Sequence, residues 1–79
     1  MNSDIESRLQ EIMKIVMDLP QGTDVKEIRR INDKRWDSLA HSSLIAAVEN
    51  EFQMQFEIQE IELCGSYAST LAIINEKIS

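Results

Sequence analysis

The sequence has few of the residues on which disulfide-bonded and metal-binding small domains depend. It has one cysteine, Cys64, and one histidine, His41. It can therefore form no internal disulfide, and a structural zinc site, which needs four ligands, is not expected. No apolar run is long enough to span a membrane, and the N-terminal residues lack the apolar core of a signal peptide. We therefore expect a cytoplasmic protein that makes no use of a membrane.

Only one proline and two glycines interrupt the 79 residues, and no Asn-Gly hairpin signal occurs among them. A chain of this length forms one domain, here residues 1–79, and buries only roughly 60% of its unfolded surface. So thin a core leaves little room for an enclosed substrate pocket. We therefore expect a monomeric single domain that is not itself an enzyme.

Basic residues are missing from the middle of the chain. The formal charge is −6, and the whole surplus lies in residues 36–63, which hold no lysine or arginine. The acids of this stretch are Asp37, Glu49, Glu51, Glu57, Glu60 and Glu62. Such a stretch either attracts basic partners or serves only as a solvated face. Five bases precede it at positions 26, 29, 30, 34 and 35, but without interleaved aromatic residues, so nucleic-acid binding is not predicted.

Apolar spacing predicts helices throughout. In the first helix, Ile5, Leu9, Ile12, Val16 and Leu19 form the stripe, which Met13, Ile15 and Met17 widen. Ser3 and Glu6 suggest a capping box at its start, and Pro20 and Gly22 end it. A long connection follows, in which Val25, Ile28 and Ile31 suggest one helical turn packed on the core.

The second helix is predicted to begin at Asp37 or Ser38, with a buried face of Leu44, Ile45, Val48 and Phe52. Residues 57–63 suggest a short helix, and Ser66 is a good N-cap for a last helix whose apolar residues are Tyr67, Leu71, Ile74 and Ile78. The predicted fold is all-α: a small bundle of three main helices plus one short helix, with a long first loop.

The stretch WDSLAH, residues 36–41, permits three interpretations. Ser38 and His41 share a helix face, as a hydrolase pair would, but Asp37 points elsewhere and no G-x-S-x-G elbow is present. Asp37 or Ser38 could simply cap the helix, with Trp36 packing just before it. Alternatively, Ser38 presents its hydroxyl for a phosphate-linked modification, which the positive end of the helix dipole would favour. We expect His41 to be an exposed polar residue and Cys64 a small buried one.

Asp37-Ser38-Leu39 at the start of an acidic helix resembles the attachment motif of acyl carrier proteins. The likeness extends over nearly the whole chain, in helix order and in the run from Leu44 to Phe52. It implies that Ser38 carries 4′-phosphopantetheine, with Asp37 and Leu39 as the flanking motif residues. It also implies that Leu39, Ala46 and Glu49 contact a phosphopantetheinyl transferase and acyl-loading or acyl-transferring enzymes with basic docking patches.

Two departures from the family pattern concern the carrier's role. Arg35 stands where a glycine is usual, and Ser42 replaces an apolar contact residue. Together with the five bases between positions 26 and 35, they suggest a specialised carrier, for polyketide, polysaccharide-acyl or other secondary chemistry, and fatty-acid synthesis stays open as the more general role. Two alternatives stay open: a stand-alone aminoacyl or peptidyl carrier, and an unmodified helical adaptor that binds through its acidic helix.

Overall fold

Four α-helices make up the structure, a computed structural model that describes residues 2–78, with side chains from position 4 onward. They are α1 (Asn2–Val16), α2 (Ser38–Phe52), α3 (Ile58–Leu63) and α4 (Tyr67–Ile78). A 3-10 turn (Val25–Glu27) lies in the long connection between α1 and α2. Over these residues the chain forms no strand, only an isolated antiparallel bridge between Arg29 and Ser66. The predicted all-α bundle with one short helix and a long first loop is confirmed.

The first helix buries a narrower face than its sequence predicts. Leu9, Met13 and Met17 are buried, whereas Ile15 is 77% exposed and does not widen the stripe. The helix begins at Asn2, before the proposed cap at Ser3, whose side chain lies outside the described residues.

The two 15-residue helices, α1 and α2, are each followed by a non-glycine residue with left-handed backbone geometry. Asp18 has φ 50° and Gln53 has φ 53°. After α1, the Asp18 N–H donates to the Ile15 carbonyl and the Leu19 N–H to the Lys14 carbonyl. This is the Schellman pattern, and it satisfies carbonyl groups that the last turn would leave unpaired. The first helix therefore ends before Pro20 and Gly22.

The core lies where α1 meets α2 and α4. Its fully buried apolar members come from every part of the chain: Leu9, Met13, Val25, Trp36, Leu44, Val48, Cys64 and Ile74. Burial raises the pKa of the Cys64 thiol, which agrees with its expected place as a small buried residue. No helix within residues 2–78 combines the length and the apolar character that a membrane crossing requires.

The long connection is anchored to the core at two of its three predicted apolar positions. Val25 and Ile28 are buried, and the 3-10 turn lies against α1 and α4. Ile31, however, is 89% exposed, so its predicted burial is wrong. The helical turn ends at Ile28, which has extended geometry, and the chain then turns again as the N–H groups of Asn32 and Asp33 donate to the Arg29 carbonyl. The spacing of three therefore does not persist to Ile31.

The two glycines offer a matched test of backbone strain. Gly22 has φ +90°, whereas Gly65 lies outside the left-handed region, and a Cβ added at either would meet no atom within 4 Å. We expect Gly22→Ala to destabilise the protein by about 1–2 kcal/mol, because an alanine at positive φ is strained although its Cβ has space. Gly65→Ala should be neutral or slightly stabilising, since alanine restricts the unfolded chain. Urea denaturation of both variants checks this, and equal stabilities would contradict it.

Candidate functional site

Ser38 is the first residue of α2, and Asp37 is its N-cap. The Asp37 carboxylate accepts a hydrogen bond of 2.8 Å from the Ala40 backbone N–H, and the Asp37 backbone is extended. This is the geometry for which aspartate is preferred at helix starts. The cap is thus supplied by the residue before the serine.

The Ser38 side chain has no structural task in the part of the chain that is described. Ser38 is exposed, and its hydroxyl makes no hydrogen bond with any of the described residues. Leu39, the next residue, is 77% exposed. Because Asp37 caps the helix, the serine hydroxyl stays available at the positive end of the α2 dipole.

A chain of buried hydrogen bonds lies directly under this helix start. Trp36 is 2% exposed, and its Nε1–H donates to His41 Nδ1 over 2.9 Å. His41 Nε2 lies 2.8 Å from the Ile61 carbonyl oxygen. Since Nδ1 accepts the hydrogen bond from Trp36, the neutral imidazole carries its own N–H on Nε2, which donates a hydrogen bond to the Ile61 carbonyl. This Trp36–His41–Ile61 chain joins the end of the loop, α2 and α3.

The expectation that His41 is exposed is therefore wrong, because its side chain is 5% exposed. Both ring nitrogens are engaged, one by Trp36 and one by Ile61, so neither is free to accept a proton from Ser38. The spacing of Trp36 and His41 across the helix start was a possible signal, but the acceptor on α3 is 20 residues away in sequence. Local sequence patterns therefore do not indicate the contact between His41 and the Ile61 carbonyl.

A second brace holds the loop just before Trp36. The Asp33 carboxylate accepts from the Arg35 backbone N–H at 2.9 Å, from Nε at 3.0 Å and from a terminal guanidinium nitrogen at 2.7 Å. These hydrogen bonds from the Arg35 side chain lower the pKa of Asp33 to about 2. Arg35, at a position where acyl carrier proteins usually have a glycine, thus ties the approach to Ser38 into a compact turn.

The proposed partner-contacting residues share one face of α2. Positions 39, 46 and 49 are separated by seven and three residues, which brings them onto one side of a helix. Leu39 and Ala46 are exposed, but Glu49 is half-buried. Its carboxylate accepts a 2.8 Å hydrogen bond from the Phe56 backbone N–H. Glu49 therefore also orders the connection to α3, a role that its sequence position did not indicate.

Tertiary contacts offset part of the acidic stretch. The Arg8 side chain on α1 donates to Glu51 and forms an ion pair with it, and Lys77 on α4 lies 2.9 Å from Glu60. The pKa of Glu60 is lowered, mainly by the Glu57 backbone N–H and also by Lys77. The acidic stretch therefore carries less uncompensated negative charge than the number of acids in residues 36–63 indicates, since two of the six acids have basic partners.

A scan of the chain against models of protein families finds none that matches it. The likeness to acyl carrier proteins therefore rests on the residues around Ser38, the acidic second helix and the helix order.

The Trp36–His41–Ile61 chain leads to a stability prediction. Trp36→Phe keeps an aromatic ring but removes the donor to His41 Nδ1, so a buried acceptor loses its partner. We expect a loss of about 1–3 kcal/mol in the free energy of unfolding, measured by urea denaturation. The same change made in a His41→Leu background should cost less, because no imidazole is then left unpaired. Equal costs in the two backgrounds would show that the hydrogen bond does not stabilise the fold.

The Asp33–Arg35 brace leads to a pH prediction. Because the pKa of Asp33 is lowered from 3.8 to about 2, the brace stabilises the fold fully above the ordinary pKa and is lost as the pH falls towards 2. Titration of the Asp33 carboxyl carbon by NMR should show this low midpoint. Arg35→Gln should move the midpoint up towards the ordinary value, whereas Lys34→Gln should not. An unchanged midpoint in Arg35→Gln would contradict the assignment.

Proposed function

We propose that this chain is an acyl carrier protein, which holds substrates as thioesters on a 4′-phosphopantetheine arm attached to Ser38. The observation that carries the proposal is the division of roles at the start of α2. Asp37 caps the helix at 2.8 Å from the Ala40 nitrogen, and the exposed Ser38 hydroxyl has no hydrogen-bond partner among the described residues. A serine that served only as a cap would be bonded to the backbone.

The site fits a phosphodiester on chemical grounds. Ser38 lies at the N-terminal end of a helix of 15 residues, where the macrodipole favours negative charge. No basic side chain within α2 is needed for this attraction, and α2 has none. When attached, the arm supplies a terminal thiol whose thioesters are activated for acyl transfer and for carbon–carbon bond formation.

The chain's own residues position the attachment point rather than react. The Asp33–Arg35 brace and the buried Trp36 hold the approach to Ser38, and the Trp36–His41–Ile61 chain holds the helix start against α3. His41 has no nitrogen free to activate Ser38, which favours a carrier over a hydrolase. A separate phosphopantetheinyl transferase would attach the arm.

Partner enzymes would dock on the α2 face that carries Leu39, Ala46 and Glu49. Leu39 is 77% exposed beside the proposed attachment serine, and Asp37 and Glu49 favour partners with basic docking patches. Because this face offers only two exposed apolar side chains and one half-buried acid, such contacts would be weak and quickly exchanged. Exchange suits a carrier that visits several enzymes of one specialised pathway with a tethered substrate.

Intact mass tests the proposal. The chain is incubated with coenzyme A, Mg²⁺ and a broad-specificity phosphopantetheinyl transferase. We expect the parent chain to gain the mass of one phosphopantetheine, and Ser38→Ala to gain none. Ser38→Ala should stay folded within about 0.5 kcal/mol of the parent, because Asp37 keeps the cap.

Ser43→Ala is the matched control, since Ser43 is also an exposed serine of α2 and lies outside the motif. It should load like the parent. A folded, unmodified parent chain that gains no mass would contradict the carrier and favour the adaptor alternative. Loading of Ser38→Ala would place the arm on another residue.

A further inference from the structure

The proposed function makes no use of the basic loop, defined here as residues 26–35. Its five bases are Lys26, Arg29, Arg30, Lys34 and Arg35. Two of them have partners within the fold: Arg35 binds Asp33, and the Lys26 ammonium lies 6.0 Å from the centre of the Tyr67 ring. The other three are exposed, and their side chains form no ion pair within the described part of the chain. Uncompensated cations in an acidic protein indicate a site for an anion from outside the fold.

These cations border two open grooves that run into each other. The near groove, of about 420 Å³, is bordered by Arg30, Ile31, Lys34 and Asp37, among others. The far groove, of about 560 Å³, is lined by Arg29, Arg30, Ile31, Gly65, Ser66 and Ser69. Because Arg30 and Ile31 line both, the two grooves are adjacent, and their linings together extend from Asp37, beside Ser38, to the start of α4. A group tethered to Ser38 could therefore enter it.

The far groove is held in shape by the backbone. The Arg30 N–H donates to the Gly65 carbonyl at 2.9 Å, and Arg29 forms the isolated bridge with Ser66. The loop and the start of α4 are thus fixed to each other without using either guanidinium group. Both arginine side chains stay available to a ligand, and the Ser66 and Ser69 hydroxyls lie in the same wall.

The acids near the path are already engaged. Asp33 is bound by Arg35, and the Asp37 carboxylate caps α2. Both lie at the near groove, whereas the far groove has no acidic residue in its lining. An anion would therefore be more stable at the far end, beside Arg29 and Arg30. Ile31, 89% exposed where the two grooves meet, offers an apolar contact on the way.

We propose that the acyl group carried by this protein ends in a carboxylate, and that Arg29 and Arg30 bind this carboxylate in the far groove while Ile31 contacts the methylene chain. This inference rests on the proposed function, since it needs a cargo tethered at Ser38. Arginine suits the task because its planar guanidinium binds a carboxylate through two parallel hydrogen bonds. Both grooves have the volume of small-molecule sites, which favours a cargo over a segment of another protein.

The test compares two cargoes that differ in their end group. The ¹⁵N-labelled chain is loaded from adipyl-coenzyme A, whose acyl chain ends in a carboxylate, and from hexanoyl-coenzyme A, which has the same number of carbons and a methyl end. We expect the adipyl form to differ from the hexanoyl form in the amide shifts of residues 29–31 and 65–69. Added salt should reduce this difference, because it rests on charge.

Arg30→Gln should abolish the adipyl-specific shifts. It removes one charge and keeps the backbone N–H that bonds to Gly65. Lys14→Gln also removes one charge, and Lys14, on α1, lines neither groove. The Lys14→Gln variant should therefore retain the adipyl-specific shifts.

Three results would overturn the inference. Loaded adipyl and hexanoyl forms with the same shifts along the grooves would show that the carboxylate is not bound there. A second result concerns a tetraglutamate peptide added to the hexanoyl form. If the peptide shifts the amide signals of the groove residues, and the adipyl cargo does not, the basic loop binds an acidic partner protein instead. Failure of both esters to load would contradict the proposed function itself, and this inference with it.

Discussion

The buried chain of hydrogen bonds from Trp36 through His41 to Ile61 is the contact on which the rest of this structure depends. Because the imidazole accepts from one side and donates to the other, it joins three segments at a single point: the end of the long loop, α2 and α3. An apolar side chain at position 41 could fill the space but could not fix the orientation of the indole or satisfy the α3 carbonyl. A buried polar group of this kind stabilises only one arrangement of the elements that it joins.

That single arrangement determines what the start of α2 presents to solvent. Trp36 is held inside, Asp37 turns back to cap the helix, and Ser38 and Leu39 are left outside. Four consecutive residues thus have four different roles: buried anchor, helix cap, exposed hydroxyl, which is the proposed attachment point, and exposed apolar side chain. The Asp33–Arg35 brace extends this order upstream, so the approach to the serine is a defined turn. An attachment point on a mobile loop would present its substrate less reproducibly to the enzymes that it visits.

The charge pattern along the chain differs from the charge pattern in the folded structure. Along the chain, a basic loop precedes an acidic stretch; in space, α1 and α4 bring Arg8 and Lys77 to two of the acids, while Arg29, Arg30 and Lys34 stay uncompensated. In the proposed carrier, the acids of residues 36–63 that lack basic partners would attract basic enzymes, and the groove lined by Arg29 and Arg30 would hold an anionic cargo. Along the chain the bases precede Ser38 and most of the acids follow it, so the proposed carrier would bind its partners and its substrate through opposite charges.

The sequence by itself determined the helices and their order and limited the cap of α2 to Asp37 or Ser38, since these depend on periodicity and on preferences within a few residues. The structure decided that Asp37 is the cap and that Ser38 is exposed. It also identified most of the core, because apolar spacing within a helix survives packing. Only the tertiary structure decided the fate of His41, Ile31 and Glu49. His41 is buried because an acceptor on α3, 20 residues away, meets its second nitrogen. Ile31 is exposed because the turn ends before it, and Glu49 bonds to a backbone group beyond its own helix. His41 and Glu49 each depend on a partner from another segment, and Ile31 on where the turn ends, none of which apolar spacing encodes.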